Sequence, residues 1–274
     1  MNQQVVITGG AGFIGSHLAN RFDNPIIVDH KVGVSLENFL DDSAVPENAV
    51  VYHLASHPNQ AAVRSDPINA VHNIVANTLN LAELCKKRNA KLIYVSSSMI
   101  YGDWSGFIRE DCNPNPKNQY GILKLCAERL VIRALEGQHF AIIRPIAVYG
   151  PGDNGDRVIT KWIKSALKNE PLFINNPTEK LEFTYVEDLV DALVAAKDGF
   201  GIYNISGGSL ISLNAATQII LQRTRSKSTI EYLTPHADMP VRGSLNLSRA
   251  KQFLNYQPKF DFIEGVDETI ASLV

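Results

Sequence analysis

The sequence predicts an α/β fold, a parallel sheet with helices on both faces. Three observations predict it. Short, continuously apolar runs alternate with helical patterns through the first half. Those runs lack polar alternation, so both sheet faces must be covered. A glycine-rich turn joins the first apolar run to the first helical pattern.

Val5-Val6-Ile7 is the first expected strand, and Phe13 to Phe22 the helix after the glycines. Pro25 to Asp29 reads as a second strand, ending in an acid. Ala49 to Ala55, Lys91 to Ser96 and Phe140 to Pro145 complete the series. Helical patterns run from Val71 to Arg88 and from Tyr120 to Leu135. The second is apolar on more than one face, through Ile122, Leu123, Leu125, Cys126, Leu130, Val131, Ile132 and Leu135. The sheet can cover one side. A second subunit, making a homodimer, or a loop of the same chain must cover the other.

After Gly150 the texture changes. Pro151, Pro171, Pro177, Pro235 and Pro240 interrupt shorter elements. Leu189 to Ala196 reads as a helix, Gly201 to Ile205 as a strand and Leu213 to Gln222 as a helix. The expected division is 1–150 for a nucleotide-binding domain and 151–274 for a smaller, partly interleaved C-terminal substrate-binding part.

Composition narrows the partners. The chain has 274 residues, 45% hydrophobic and 20% charged, which suits a folded domain rather than a disordered one. The formal charge is −2, so neither nucleic acid nor an anionic membrane is expected as the main partner. No apolar run approaches the ~20 residues of a spanning helix. The N-terminus leads directly into a strand, so no signal peptide is expected. Cys85, Cys112 and Cys126 are scattered and odd in number. Neither a disulfide framework nor a metal site is expected, and a cytoplasmic setting fits. Cys85 and Cys126 are expected in the core.

Thr8-Gly9-Gly10-Ala11-Gly12-Phe13-Ile14-Gly15 sits at a strand-to-helix junction. It reads as G-x-x-G-x-x-G from Gly9 or as G-x-G-x-x-G from Gly10. Either lets the backbone approach a pyrophosphate and offers it helix N-terminal amides. Asp29 closes the next strand, 20 residues beyond Gly9. A carboxylate there accepts from the adenosine ribose hydroxyls and repels a 2′-phosphate. The fold class is therefore a Rossmann-type doubly wound parallel sheet, with NAD as cofactor. His30 and Lys31 keep NADP as a minor option.

Tyr120 and Lys124 stand four residues apart on one helix face. An ammonium beside a phenol favours the phenolate, turning a weak acid into a usable base. The pair follows the serine run Ser96-Ser97-Ser98.

Together these motifs resemble the NAD-dependent epimerase/dehydratases of the extended short-chain dehydrogenase/reductase family, which act on nucleotide sugars. UDP-glucose/galactose 4-epimerases are of this kind. The resemblance spans nearly the whole chain. It includes Val51 to Ser56, Ser96 to Gly102, Arg144-Pro145 with Tyr149-Gly150-Pro151, Phe183 to Asp188 and Asn246 to Lys251. It implies that Tyr120 is the acid/base and that Lys124 lowers its pKa. It also implies that Ser97, four residues before Tyr101, bonds the reacting oxygen. It implies NAD contacts at Gly9, Gly12, Phe13, Ile14, Gly15, Asp29, Leu54, Ala55, Asn73, Tyr120, Lys124 and Pro145. The implied activity is epimerisation, with transient oxidation of a sugar hydroxyl to a ketone and return of the hydride. A sugar-nucleotide reductase or dehydrogenase of the same family is the alternative. A non-catalytic dinucleotide-binding sensor is the alternative of another class.

The chain departs from the family at four places. Met99 replaces the acid that dehydratases and decarboxylases carry, so elimination of water is disfavoured. Ala147 replaces a substrate-touching asparagine. Leu181 replaces an arginine, leaving Lys180 beside it. The stretch from Asp29 to Val50 is short. Arg157, Lys161, Lys164 and Arg242 are the expected cations for a diphosphate.

Overall fold

The computed structural model describes residues 3–40, 44–57, 59–155, 157–176, 179–234 and 239–274. Pro177 and Pro235 lie outside the described residues. The first half runs β1 (Val5–Thr8), α1 (Phe13–Ala19), β2 (Ile26–Val28), α2 (Leu36–Phe39) and β3 (Val50–His53). Then come α3 (Gln60–Ser65), α4 (Pro67–Val71), α5 (Asn77–Lys87), β4 (Lys91–Val95), β5 (Phe107–Ile108), α6 (Gln119–Ala134) and β6 (Phe140–Pro145). The remainder begins with β7 (Val148–Tyr149), α7 (Val158–Leu167), β8 (Leu172–Ile174), β9 (Lys180–Glu182), β10 (Thr184–Tyr185) and α8 (Val186–Ala195). It ends with β11 (Gly201–Ile205), β12 (Leu210–Ser212), α9 (Leu213–Thr224), β13 (Ile230–Tyr232), β14 (Ser244–Leu245), α10 (Ser248–Leu254) and α11 (Phe262–Ala271).

The central sheet has the order β11-β6-β4-β3-β1-β2, and every pairing is parallel. This is the expected α/β architecture. Consecutive residues of one strand feed opposite cores. Ile7, Tyr52, Ile93 and Ile143 pack on one face, and Val6, Val51, Leu92 and Ile142 on the other. That two-sided burial is why the strands are continuously apolar. The chain starts at β1, moves outward to β2, then returns across β1 to β3. The switch point therefore lies between the C-terminal ends of β1 and β3, where α/β folds bind ligands. β11 comes from beyond residue 150 and pairs with β6.

Several boundaries differ from expectation. The first helix ends at Ala19, because Arg21 and Phe22 donate to carbonyls three residues back and tighten the turn. The helix expected from Val71 is interrupted by a π-helical turn at His72–Ala76. There the Thr78 hydroxyl donates to the Ile74 carbonyl at 2.7 Å, a back-bond that disturbs helices. The helix expected from Leu189 begins at Val186. Cys85 is buried as expected, but Cys126 is exposed, on the outer side of α6 near Ile122. α6 packs on α5, α3 and the serine turn, and part of its apolar surface stays open. Between β2 and β3 the described residues hold one 3-10 turn, His30–Val32, and the four-residue α2. Among the described residues, no helix is long and apolar enough to cross a membrane.

Candidate active site

The glycine turn is built from close approaches. Gly9 has φ +72°, and a Cβ there would stand 2.7 Å from the Ala55 amide nitrogen. A Cβ on Gly15 would stand 2.1 Å from the Gly9 carbonyl oxygen. Only glycine lets the turn lie against both α1 and the end of β3. Gly12 caps α1 without any side-chain hydrogen bond. Phe13, Ile14 and Gly15 form the first turn, whose N–H groups have no intrahelical acceptor. They are a seat for an anion.

Asp29 is buried beside this seat. Its Oδ2 accepts from the Ala11 amide at 3.1 Å and its Oδ1 from the Lys31 amide at 2.9 Å. Two amides thus fix the carboxylate at the β2 end. Leu54 and Ala55 are tied to β1, with the Ala55 amide donating to Thr8 Oγ1 at 3.3 Å. Behind them His53 bridges two threonines, Nδ1 to Thr8 Oγ1 at 2.6 Å and Nε2 to Thr78 Oγ1 at 2.9 Å. The Thr78 hydroxyl already donates to Ile74, so it accepts from His53 Nε2–H. Nδ1 then accepts from Thr8. Burial, and secondly the Lys124 charge, push this imidazole down to about 3, so it stays neutral. Asn73 sits on the π-helical turn, with hydrogen bonds to Asn69 and Asn77. Pro145 is buried at the end of β6.

Ser97, Tyr120 and Lys124 come together at the β4 end. Ser97 Oγ accepts from the Met99 amide at 3.2 Å, which starts a 3-10 turn at Ser98–Tyr101. The Ser97 side chain lies close enough to Tyr120 to favour its phenolate. Asn118 caps α6 through the Gly121 amide at 2.9 Å, and Gln60 accepts from the Tyr120 amide at 2.9 Å. Lys124 is 3 % exposed. Its Nζ donates to the Val95 carbonyl at 2.9 Å and lies 5.0 Å from the Tyr94 ring centre and 5.9 Å from that of Tyr120. Burial lowers Lys124 to about 7, and Glu128 pulls it upward. Tyr120 keeps part of its surface open. Burial of its ring and hydroxyl pushes it up to about 12, opposed by the Arg157 charge and secondly by the nearby Ser97 side chain.

Three contributors escaped the sequence. A Cβ on Gly121 would stand 2.5 Å from the Met99 carbonyl oxygen, so this glycine lets α6 abut the serine turn. Arg157, expected only as a substrate cation, is the charge that most lowers Tyr120. It lies 4.9 Å from the Phe13 ring and 3.3 Å from buried Asp153. His53 was legible as part of a motif but not as a brace.

The other cations divide. Arg242 is half-buried, pairs with Glu179 at 2.8 Å and touches Met99 Sδ at 3.8 Å through Nη1. Among the described residues its Nε has no hydrogen-bond partner. Lys161 is exposed, and Lys164 donates to the Asn154 carbonyl. Leu181 is buried in β9, where it fills core instead of facing a ligand. Ala147 holds φ +43°, a left-handed conformation that asparagine adopts more readily than alanine.

The NAD-dependent epimerase/dehydratase family pattern matches residues 5–206. The chain belongs to this family. It is thus an enzyme of the extended short-chain dehydrogenase/reductase type, and NAD is the family cofactor. A UDP-glucuronate 4-epimerase of Thermodesulfobacterium geofontis is 32% identical, over 81% of this chain and 71% of that protein. UDP-glucuronic acid decarboxylase 1 of Arabidopsis thaliana is 27% identical, over 98% of this chain and 69% of that protein. The UDP-glucuronic acid 4-epimerase of Bacillus cereus, solved with UDP-glucuronic acid and NAD, superposes with a TM-score of 0.90. It is 26% identical, with 99% of each chain covered. The residues present fit NAD: the glycine cradle that a Cβ would fill, the uncapped α1 and the fixed Asp29 are the features that would hold it. Among the described residues no group of three or more His, Cys, Asp or Glu is placed to hold a metal ion.

Proposed function

We propose that the protein is an NAD-dependent nucleotide-sugar epimerase in which Ser97, Tyr120 and Lys124 act on a sugar hydroxyl. The observation that carries this is the convergence of those three residues beside the glycine cradle. Bound there, NAD supplies reversible two-electron oxidation of a sugar carbinol. The first turn of α1 holds its pyrophosphate through Phe13, Ile14 and Gly15. Asp29 takes the adenosine ribose, Leu54 and Ala55 line the β3 end, and Asn73 and Pro145 complete the cofactor contacts.

Ser97 orients the sugar oxygen, and Tyr120 takes and later returns its proton. A phenol held near about 12 by burial needs positive charge before it can accept that role. Lys124 and Arg157 supply this from the protein, and an oxidised nicotinamide would add to it. Epimerisation is preferred to decarboxylation, despite the plant relatives, because Met99 offers no proton at the sugar-facing turn. Arg242 and Arg157 are the proposed diphosphate cations, with Leu181 absent from that task. Residues 1–150 form the cofactor part and 151–274 the substrate part of this reading.

We further propose a cytoplasmic homodimer. Partly open Leu123, Leu125 and Ile132, exposed Ile122 and a 390 Å³ hollow lined by Leu79 and Leu130 mark the outer side of α5 and α6. Such a surface suits a second copy.

The test is incubation with UDP-, GDP- and dTDP-sugars, including uronic acids, followed by NMR of isomer ratios. Absorbance of reduced nicotinamide is recorded alongside. Epimer formation without net absorbance change supports the proposal. Stoichiometric cofactor turnover would identify a reductase or dehydrogenase instead. Binding of NAD with no turnover on any sugar would favour a sensor.

A further inference from the structure

Beneath Lys124 the buried polar interior continues. Glu128 follows Lys124 by one helical turn on α6 and is 1 % exposed. Arg144, near the end of β6, is 3 % exposed. Arg144 grips both oxygens of Glu128, Nε to Oε1 at 3.0 Å and Nη2 to Oε2 at 2.7 Å. Its Nη1 donates to the Tyr101 hydroxyl at 2.8 Å and to the Glu110 carbonyl at 3.1 Å. The Tyr101 hydroxyl donates in turn to Asn204 Oδ1 at 2.6 Å, on β11. The Arg144 guanidinium is therefore locked from two sides, and the Glu128 carboxylate with it.

An ion pair this deep is weak evidence for stability, because desolvation offsets most of its attraction. Its placement suggests another use. The groups around Lys124 come from three elements. α6 contributes Tyr120 and Glu128, β4 the Tyr94 ring and the Val95 carbonyl, and β3 the neutral His53. Arg144 stands behind Glu128, and Arg157 acts on Tyr120 from the start of α7. Among these groups Glu128 is the one carboxyl group, paired with Arg144.

We propose that Glu128, clamped by Arg144, is a positioning residue for the reaction, holding Lys124 as a cation beside Tyr120. The inference rests on the Tyr120–Lys124 reading given above. Burial drives Lys124 toward its neutral form, and Glu128 is the group that opposes this. Without Glu128 the ammonium would lose its proton at lower pH, and Tyr120 would lose a cation that favours its phenolate. The clamp matters because a buried carboxylate left alone would itself take up a proton.

The test has two readouts. Lysine labelled with 13C at Cε is titrated by NMR, and the Lys124 signal is assigned by its loss in Lys124→Arg. The expected result is a titration near neutrality that falls by about one pH unit or more in Glu128→Gln. Activity then shows its alkaline limb displaced to lower pH by a similar amount, with kcat affected more than KM. Glu128→Asp keeps the charge but withdraws it by one methylene, and should give a smaller shift in the same direction. An unmoved Lys124 titration in either folded variant overturns the proposal. If neither variant folds, the pair is a structural tie and the proposal also falls. Tyr120→Phe separates the two levels. If it stays active, the proton-transfer reading is wrong. If it is inactive while Lys124 titrates unchanged in the Glu128 variants, only the present inference fails.

Discussion

Replacing Gly15 with alanine should separate the glycine cradle from an ordinary turn. The added Cβ would stand 2.1 Å from the Gly9 oxygen and 2.7 Å from the Gly10 Cα. Ordinary contact begins near 3.4 Å, so 3.4 − 2.1 leaves 1.3 Å to be found by moving backbone against backbone. Overpacking of that kind costs ~1–3 kcal/mol or more, and the better helix propensity of alanine returns at most ~1 kcal/mol. The clash should win by about 2 kcal/mol, which lowers Tm by roughly 4–8 °C in a chain of this size. The displaced first turn should also lose at least one amide bond to the pyrophosphate. A hydrogen bond to a charged group contributes ~1.5–3 kcal/mol, so NAD affinity should fall at least tenfold. Gly12→Ala is the contrast, since its Cβ meets only the Gly9 oxygen at 3.1 Å. That variant should melt within about 4 °C of the parent, on a cost below ~1 kcal/mol. Thermal melts by circular dichroism and NAD titrations followed by tryptophan fluorescence measure both quantities. A Gly15→Ala protein with parental Tm and parental NAD affinity would refute the reasoning.

Tyr120→Phe should lower kcat by ~10²-fold or more while NAD affinity stays within a few-fold, because only the proton carrier is removed; single-turnover kinetics and fluorescence titration check this. Asp29→Ser should narrow the preference for NAD over NADP, and unchanged selectivity in paired binding titrations would exclude the ribose contact. His53 should make the fold acid-sensitive. Its pKa drops from 6.5 to about 3 on folding, so the unfolded chain binds the extra proton between those values. Stability from this group is whole above pH 6.5 and is lost as pH falls toward about 3, at up to ~1.4 kcal/mol per unit. Urea unfolding of His53→Gln across that window should show a shallower acid limb.

Much of the fold was legible because each strand of the central sheet announces itself locally, whereas the short strands outside it, such as β5 and β7, do not. Val5 to Thr8 and Phe140 to Pro145 are β-branched or apolar runs buried on both faces. The glycine turn, Asp29 and the Tyr120–Lys124 pair were legible for a similar reason, since each depends on spacing within one element or one crossover. The rest depends on contacts between distant segments. Nothing near Gly121 reveals that its α-carbon must face the Met99 carbonyl. Nothing near Arg157 reveals that the turn after Gly150 carries it to Phe13. Cys126 reads as core only because periodicity cannot say which apolar face of a helix is covered. Leu181 reads as a missing cation, yet β9 buries it, and the purpose there is packing.

The backbone at Ala147 holds a reserve that one substitution would release. Left-handed geometry with a methyl group attached costs ~1 kcal/mol, a burden that a glycine at the same bend would largely escape. The bend into β7 thus stays under tension, held by the Thr184 amide, which donates to the Ala147 carbonyl.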